Sequence, residues 1–411
     1  MKKYILTFFI SFMLGISLFF MSYLPVIRPL IHPEIHIFLE AYATNPALSQ
    51  MIEFSKLPKK TRKFIAWHRF PNRKNVLDLA NYNTTEVDLP ATERLYSYGT
   101  HQMLKAIDSI IQNEPMTEFI LHANFSHIPV AITPFLNKIP KHRIKHIHLY
   151  EDGYGVFYKG YNVYRFPQDQ TEQEILNELN NHIVSQTGQW KAYYELLFFK
   201  LYPTTYHLFE PNFLYHIPKY AHIAQYLKQA DVQEINFYKL RNTLSDEQKD
   251  IIYRLSGFDY QKYNKLMRDK KTFIFVLGYH FDNKDRLTAE ENLLKSLHDG
   301  STNYLKNPEE YTWFYKPHPS YSAATRLNQI RTAFPEMIEI PAQLPFEVFI
   351  LAGLKPTLTS GFSSSLFYSL NSQDILMYVQ RPGDIYQPFL IETGKLKPEQ
   401  IISYKNFLTQ K

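Results

Sequence analysis

The chain has no cysteine in 411 residues. That absence removes disulfide frameworks, thiolate metal sites, cysteine nucleophiles and lipobox attachment. A Walker A motif, a G-x-G-x-x-G fingerprint and a G-x-S-x-G elbow are also missing. The signatures of phosphate-loop enzymes, classical dinucleotide binders and α/β-hydrolases are therefore absent. No run of Lys or Arg exceeds three residues, and the formal net charge is only +6. A nucleic-acid partner is not expected; the mild positive balance suits an anionic donor or an anionic membrane surface. Internal repeats and low-complexity tracts are lacking as well.

What the chain has in quantity is aromatic surface, 31 Tyr and 31 Phe within an apolar share of 45%. Most of it belongs in cores, with sugar- or membrane-facing surfaces as the second use. The length exceeds one ordinary core and suits two domains. Behind the basic Met1–Lys3 lies Tyr4–Leu24, 21 residues without a charge, enough to span a bilayer as a helix. No small-x-small cleavage site follows, so residues 1–27 read as an uncleaved single-pass anchor in a bacterial inner membrane rather than a signal peptide. Lys2 and Lys3 on one side and Arg28 on the other leave its orientation open.

Beyond the stiff linker Pro25–Pro33, strand patterns occur at Ile35–Leu39, Lys63–Trp67, Glu118–His122 and His146–Tyr150, with helical patterns such as Thr100–Gln112 between them. Capping boxes open helices at Thr171-x-x-Glu174, Ser245-x-x-Gln248 and Thr288-x-x-Glu291. A second alternating set is expected to start at Thr205–Glu210 and to continue through Thr272–Leu277, Thr312–Lys316, Met337–Ile340 and Leu376–Gln380. Alternation of this kind predicts an α/β chain with parallel sheets, in two serial units around a cleft. Ligands in such sheets sit beyond the carboxyl ends of strands.

Three stretches fall at those ends. Leu358–Leu370 (LTSGFSSSLFYSL) turns through Ser and Gly into a helical run, aiming backbone N–H groups and hydroxyls at one point, which suits a phosphate. Phe314–Ser320 (FYKPHPS) holds His318 between two prolines that stiffen its loop, with Lys316 two residues earlier. Tyr150–Gly155 (YEDGYG) puts Glu151 and Asp152 at the end of a strand, where a carboxylate can take a proton from a hydroxyl. Each has an ordinary reading beside this one: a helix cap for the serines, a loop histidine, a surface Asp-Gly turn. Glu347 sits in the first turn of a helix, where the dipole favours a carboxylate in any case. His146 and His148 alternate along one strand without a third ligand at useful spacing, so no metal is expected.

In order and spacing these stretches resemble the bacterial sialyltransferases of glycosyltransferase family 80, two-domain enzymes of the GT-B fold. The resemblance runs from about Ile35 to Leu370 and is carried by Glu151-Asp152-Gly153, by His318-Pro319 and by the Ser-Ser pair before Leu366–Leu370. Weaker matches are Ala43–Phe54, Leu244–Phe258, Phe273–Phe275 and Phe346-Glu347-Val348.

The resemblance implies two Rossmann-like domains: an acceptor-side unit over 28–198, completed by about 385–411, and a nucleotide-donor unit over 199–384. It implies transfer of sialic acid from CMP-sialic acid to a galactoside on a surface glycan or glycolipid, with inversion and without a required metal or other cofactor. Asp152 would be the general base, and His318 would assist departure of CMP. Ser364, Ser365, Lys316 and His127 would face the donor, and Glu347 its ribose. Glu151 and Phe281 would face the acceptor.

The chain departs from the family pattern at Pro317, where glycine is usual, at Phe281, where relatives carry tryptophan, and at Tyr154, where serine is usual. A transferase for another CMP-activated ulosonic acid such as Kdo, or a non-catalytic glycan-binding protein, are the alternative expectations.

Overall fold

Two parallel sheets organise the chain. The computed structural model describes residues 33–41, 43–68, 70, 77–87, 96–152, 166–185, 188–209, 211, 215, 221–277, 294–295, 298–318, 331–361, 363, 366, 370–380, 391 and 394–403. The expected anchor at Tyr4–Leu24 lies outside them. Among the described residues no helix is long and apolar enough to cross a membrane.

The first sheet has seven strands: β1 (Glu34–Glu40), β2 (Arg62–Trp67), β3 (Thr84–Glu86), β4 (Glu118–Asn124), β5 (Ile144–Tyr150), β6 (Thr204–Leu208) and β7 (Asp231–Glu234), in the order β3-β2-β1-β4-β5-β6-β7. Every pairing is parallel. Covered on both faces, its central strands carry apolar side chains on both, as in Ile35, Ile37 and Leu39 against Phe38 of β1.

Helices α1 (Thr44–Lys56), α2 (Tyr96–Asn113) and α3 (Glu172–Ser185) belong to this unit. The expected box at the start of α3 forms, with Glu174 Oε2 accepting the Thr171 N–H at 2.7 Å. Arg143, almost fully buried, donates to the carbonyls of Ile110, Ile111, Glu114 and Thr117, satisfying the orphaned C-terminal end of α2.

The second sheet comprises β8 (Lys271–Val276), β9 (Tyr311–Lys316), β10 (Ile338–Glu339), β11 (Leu358–Gly361), β12 (Ile375–Gln380) and β13 (Ile401–Ser403), in the order β10-β9-β8-β11-β12-β13. Between the sheets run α4 (Phe237–Thr243), α5 (Asp246–Ser256) and α6 (Tyr260–Met267); α7 (Glu347–Ala352) follows β10. The expected capping box of α5 is present, and Gly257 ends that helix in the left-handed conformation at φ +74°.

Two expected boundaries shift. β6 and β7 join the first sheet, so the sheet change falls between 234 and 271 rather than at 198. Of the run Thr205–Glu210, expected to open the second unit, Thr205–His207 pair instead with β5, and the apolar and aromatic residues there complete the buried flank of the first sheet. At the other end, β13 pairs with β12 of the second sheet; 385–390 and 404–411, within the segment expected to complete the first unit, lie outside the described residues.

Helix α5 joins the two units. Its Ile251 and Leu255 pack with Ala47, Met51 and Phe54 of α1 over Phe38, Ile65 and Trp67. Burying a side chain the size of Phe38 contributes roughly 2–3 kcal/mol. Just after α5, Phe258 meets Phe349 of α7 edge-on at 5.1 Å. One short helical segment thus packs against both units.

Candidate functional site

In each sheet the strand order reverses direction at one place, between β1 and β4 in the first and between β8 and β11 in the second. The crevice beyond the carboxyl ends of strands at such a point is the usual ligand site of open α/β sheets. The sequence-expected residues that are described fall at these edges.

At the edge of the first sheet, Asn124 ends β4 and its side chain accepts the Ser126 N–H at 2.9 Å, turning the chain into the short helical segment Phe125–His127. His127 is half-buried, and burial lowers its imidazole below the usual histidine range, which favours the neutral form as a hydrogen-bonding group. One strand over, β5 ends at Tyr150 and hands on to Glu151 and Asp152.

These two carboxylates have different surroundings. Glu151 is 1% exposed, and its Oε2 accepts the Phe209 N–H at 2.7 Å. Its own N–H donates to the His207 carbonyl at 3.0 Å. Glu151 therefore ties the end of β5 to the end of β6. Asp152, the next residue, is half-buried at the strand end, where a carboxylate can meet both a substrate hydroxyl and water.

At the edge of the second sheet, the Leu277 N–H donates to the Lys316 carbonyl at 3.0 Å, joining the ends of β8 and β9. Lys316 is buried, and its ammonium donates to the carbonyls of Pro317 and Ala342, each at 3.2 Å. These bonds fasten the loop of His318 to the turn that leads into α7. Glu347 opens α7 and is fully buried, at the helix end whose dipole stabilises a carboxylate. His318, half-buried, is two residues past β9. Gly361 closes β11 at φ +152°, and a Cβ there would stand 2.0 Å from the Val276 carbonyl oxygen. Only glycine lets β11 approach β8 so closely just before Ser363. Ser364, Ser365 and Phe281 lie outside the described residues.

A feature the sequence reading missed is a band of histidines on one face of the first sheet. His36 Nδ1 and His122 Nε2 are 3.0 Å apart, and His122 Nδ1 is 2.8 Å from the Tyr150 hydroxyl. Beside them His148 Nδ1 and His207 Nε2 are 3.0 Å apart, and His146 Nε2 is 2.8 Å from Thr205 Oγ1. The rings of His122 and His148 stack at 4.6 Å, with 10° between planes.

Burial first, then neighbouring cations, lowers His36 to about 4, and burial lowers His207 to about 3. Burial also holds His122 well below its usual range. The signal was present in the sequence, a histidine flanked by apolar residues in four strands: IHIF, LHAN, HIHL and YHL. Strand register, which no single strand reveals, is what brings them together. Among the described residues no group of three or more His, Asp or Glu is arranged to hold a metal ion.

Residues 35–381 match the family described as Sialyltransferase PMO188. No curated protein matches. Among solved structures, the GT-B domain of a sialyltransferase from Photobacterium damselae is similar at 20% identity and a TM-score of 0.73, covering 90% of this chain and 99% of that one. A 2,6-sialyltransferase from a Photobacterium species, in a ternary complex with CMP and lactose, gives 20% identity and 0.73 over 90% of this chain and 78% of that one. The galactoside 2,3-sialyltransferase of Photobacterium phosphoreum gives 20% and 0.71, over 91% and 98%. These likenesses show that the two sheets form a GT-B fold.

Proposed function

The chain belongs to the Sialyltransferase PMO188 family, and on that footing we propose that it moves sialic acid from CMP-sialic acid to a terminal galactoside with inversion at C2. The observation that carries this reading is the division of labour at the end of β5. Glu151 is buried in the scaffold while Asp152 stays half-buried at the carboxyl edge of the sheet.

The reaction breaks the bond between C2 of the sialyl group and the phosphate oxygen, and forms a bond from C2 to the galactose hydroxyl oxygen. Asp152 takes the hydroxyl proton as that bond forms. The leaving phosphate gains charge, and stabilising that charge falls to His318 and to Ser364 and Ser365. His318 is aimed by its loop, which the Lys316 contacts to Pro317 and Ala342 hold in place. Glu347 is assigned to the ribose and His127 to the donor phosphate and carboxylate. Because His318, Ser364 and Ser365 take up the charge of the leaving phosphate, the site is assigned no metal. Support for CMP and galactoside comes from the similar Photobacterium structure that holds CMP and lactose. The uncharged run Tyr4–Leu24 is proposed to attach the enzyme to a bacterial inner membrane.

The test gives purified enzyme CMP-sialic acid or CMP-Kdo with lactose, alongside Asp152→Ala. Release of CMP and sialyllactose by the wild type, abolished in the variant, supports the reading. Turnover only with CMP-Kdo moves the donor assignment to that sugar, and failure of CMP to stabilise the fold overturns the nucleotide site.

A further inference from the structure

Away from both sheet edges, a cavity of about 560 Å³ lies between α4, α5, α6 and the C-terminal end of α7. Its lining contains none of the residues placed at those edges: His127, Glu151, Asp152, Lys316 and His318 are all absent from it. The cavity is thus a separate place on the molecule.

Four of its seven charged residues form two ion pairs. Arg254 Nε contacts Asp250 at 3.0 Å, and Lys249 contacts Asp246 at 3.7 Å. The Asp259 side chain accepts the Lys262 N–H at 2.9 Å and so caps α6. Arg268 donates to the Tyr260 hydroxyl at 3.2 Å. Arg241 remains: among the described residues it has no hydrogen-bond or ion-pair partner.

The position of that guanidinium is built in. Gly353 ends α7 at φ +76°, and a Cβ there would stand 2.4 Å from the Arg241 Cζ and 2.5 Å from its Nη2. The missing side chain is what lets the planar group lie against the helix end. In the same lining, the rings of Tyr253 and Tyr260 stack on each other, parallel within 2° at 5.7 Å, both half-buried. A flat cation next to an aromatic wall, with Gln261 as a neutral polar neighbour, suits a ring that carries a carboxylate. Guanidinium forks match carboxylates bidentately, and tyrosine faces receive the apolar faces of sugars.

We propose that this cavity is a second glycan site, which holds the carboxylate of an acidic sugar on Arg241 and its ring along Tyr253 and Tyr260. The choice of an acidic sugar over other ring carboxylates rests on the proposed function, whose product carries one. Such a site would keep a sialylated glycan on the enzyme after it has left the cleft.

The test titrates sialyllactose, lactose and inorganic phosphate into full-length Asp152→Ala by calorimetry, so that binding is read without turnover. The same titrations follow with Arg241→Ala or Arg241→Gln added; the second variant keeps a polar tip without the charge, and a melting temperature equal to that of the parent excludes a folding artefact. Sialyllactose is expected to fill a site that weakens at least tenfold in both Arg241 variants and that lactose does not fill. Initial rates on lactose should stay within twofold for Arg241→Gln in the otherwise wild-type enzyme. Equal sialyllactose binding with and without Arg241 overturns the proposal, as does displacement by phosphate at equal concentration. Because the readout is binding, an Arg241-dependent sialyllactose site stands even if no transfer to lactose is found.

Discussion

The Tyr150 hydroxyl and Nδ1 of His122 share a hydrogen bond of 2.8 Å inside the first sheet. Tyr150 is the last residue of β5, and the proposed base, Asp152, is two residues further on. Through His122 the same bond continues to His36 on β1 at 3.0 Å. The strand end that presents Asp152 is thus held by a buried polar row as well as by the ladder.

That row makes stability fall in acid. The folded-state values of His36, about 4, and His207, about 3, lie below the unfolded value of 6.5. The unfolded chain therefore binds more protons between about pH 6.5 and those folded-state values. Stability present above that pH is lost as pH falls toward 4, by roughly 1 kcal/mol per pH unit for each histidine. Facing groups include Lys63 and Lys145, which oppose protonation of His36, Lys56, which opposes it at His207, and Asp231, which favours it at His146. Thermal melts at pH 7, 6 and 5 should show a steep decline that flattens in His36→Gln/His207→Gln.

Replacing Asp152 by Asn or Ala is expected to lower kcat by about 10²–10⁴ while leaving the CMP dissociation constant within a few-fold. Steady-state rates and a CMP titration on the same preparation check it. Wild-type rates in Asp152→Ala would exclude this residue as the base.

Glu151 should behave as a scaffold residue. Glu151→Ala leaves the buried Phe209 N–H without its acceptor, which costs about 1–3 kcal/mol. Glu151→Gln keeps an acceptor at that place and should recover much of the melting temperature. If Glu151→Ala instead raised only the KM for the acceptor at unchanged stability, the residue would face the acceptor after all.

Gly361→Ala is predicted to cost roughly 2–4 kcal/mol, because the new Cβ meets a backbone carbonyl at 2.0 Å, not a yielding side chain. Urea unfolding measures the loss. A CMP-induced shift in the midpoint should shrink with it, since β11 leads into the serine cluster.

Chelation should not matter. With stabilisation of the leaving phosphate assigned to His318 and the serines, activity after EDTA treatment and desalting is expected to equal that of the untreated enzyme. Loss restored by Mg²⁺ or Mn²⁺ would add a metal to the donor site.

Much of this protein was legible locally. The strand at Thr272–Leu277 and the boxed helices after Thr171 and Ser245 are short-range patterns of apolar period and capping chemistry, and each formed as expected. The strand-end positions of Asp152, His318 and Lys316 were readable because strand-end loops announce themselves through Gly, Pro and charge. The assignment of Thr205–Glu210 to the wrong sheet, the histidine row and the inward turn of Glu151 were not readable in the same way. Each depends on which strand lies beside which and on the register between them, and β6 meets β5 only through a crossover of more than fifty residues. The sequence by itself determined the class of fold, the strand ends at which its motifs fall and the family. Tertiary structure alone decided which of two adjacent carboxylates is buried and which stays at the edge. Alternate residues of a strand end face opposite sides, and only the neighbouring strand says which side is filled.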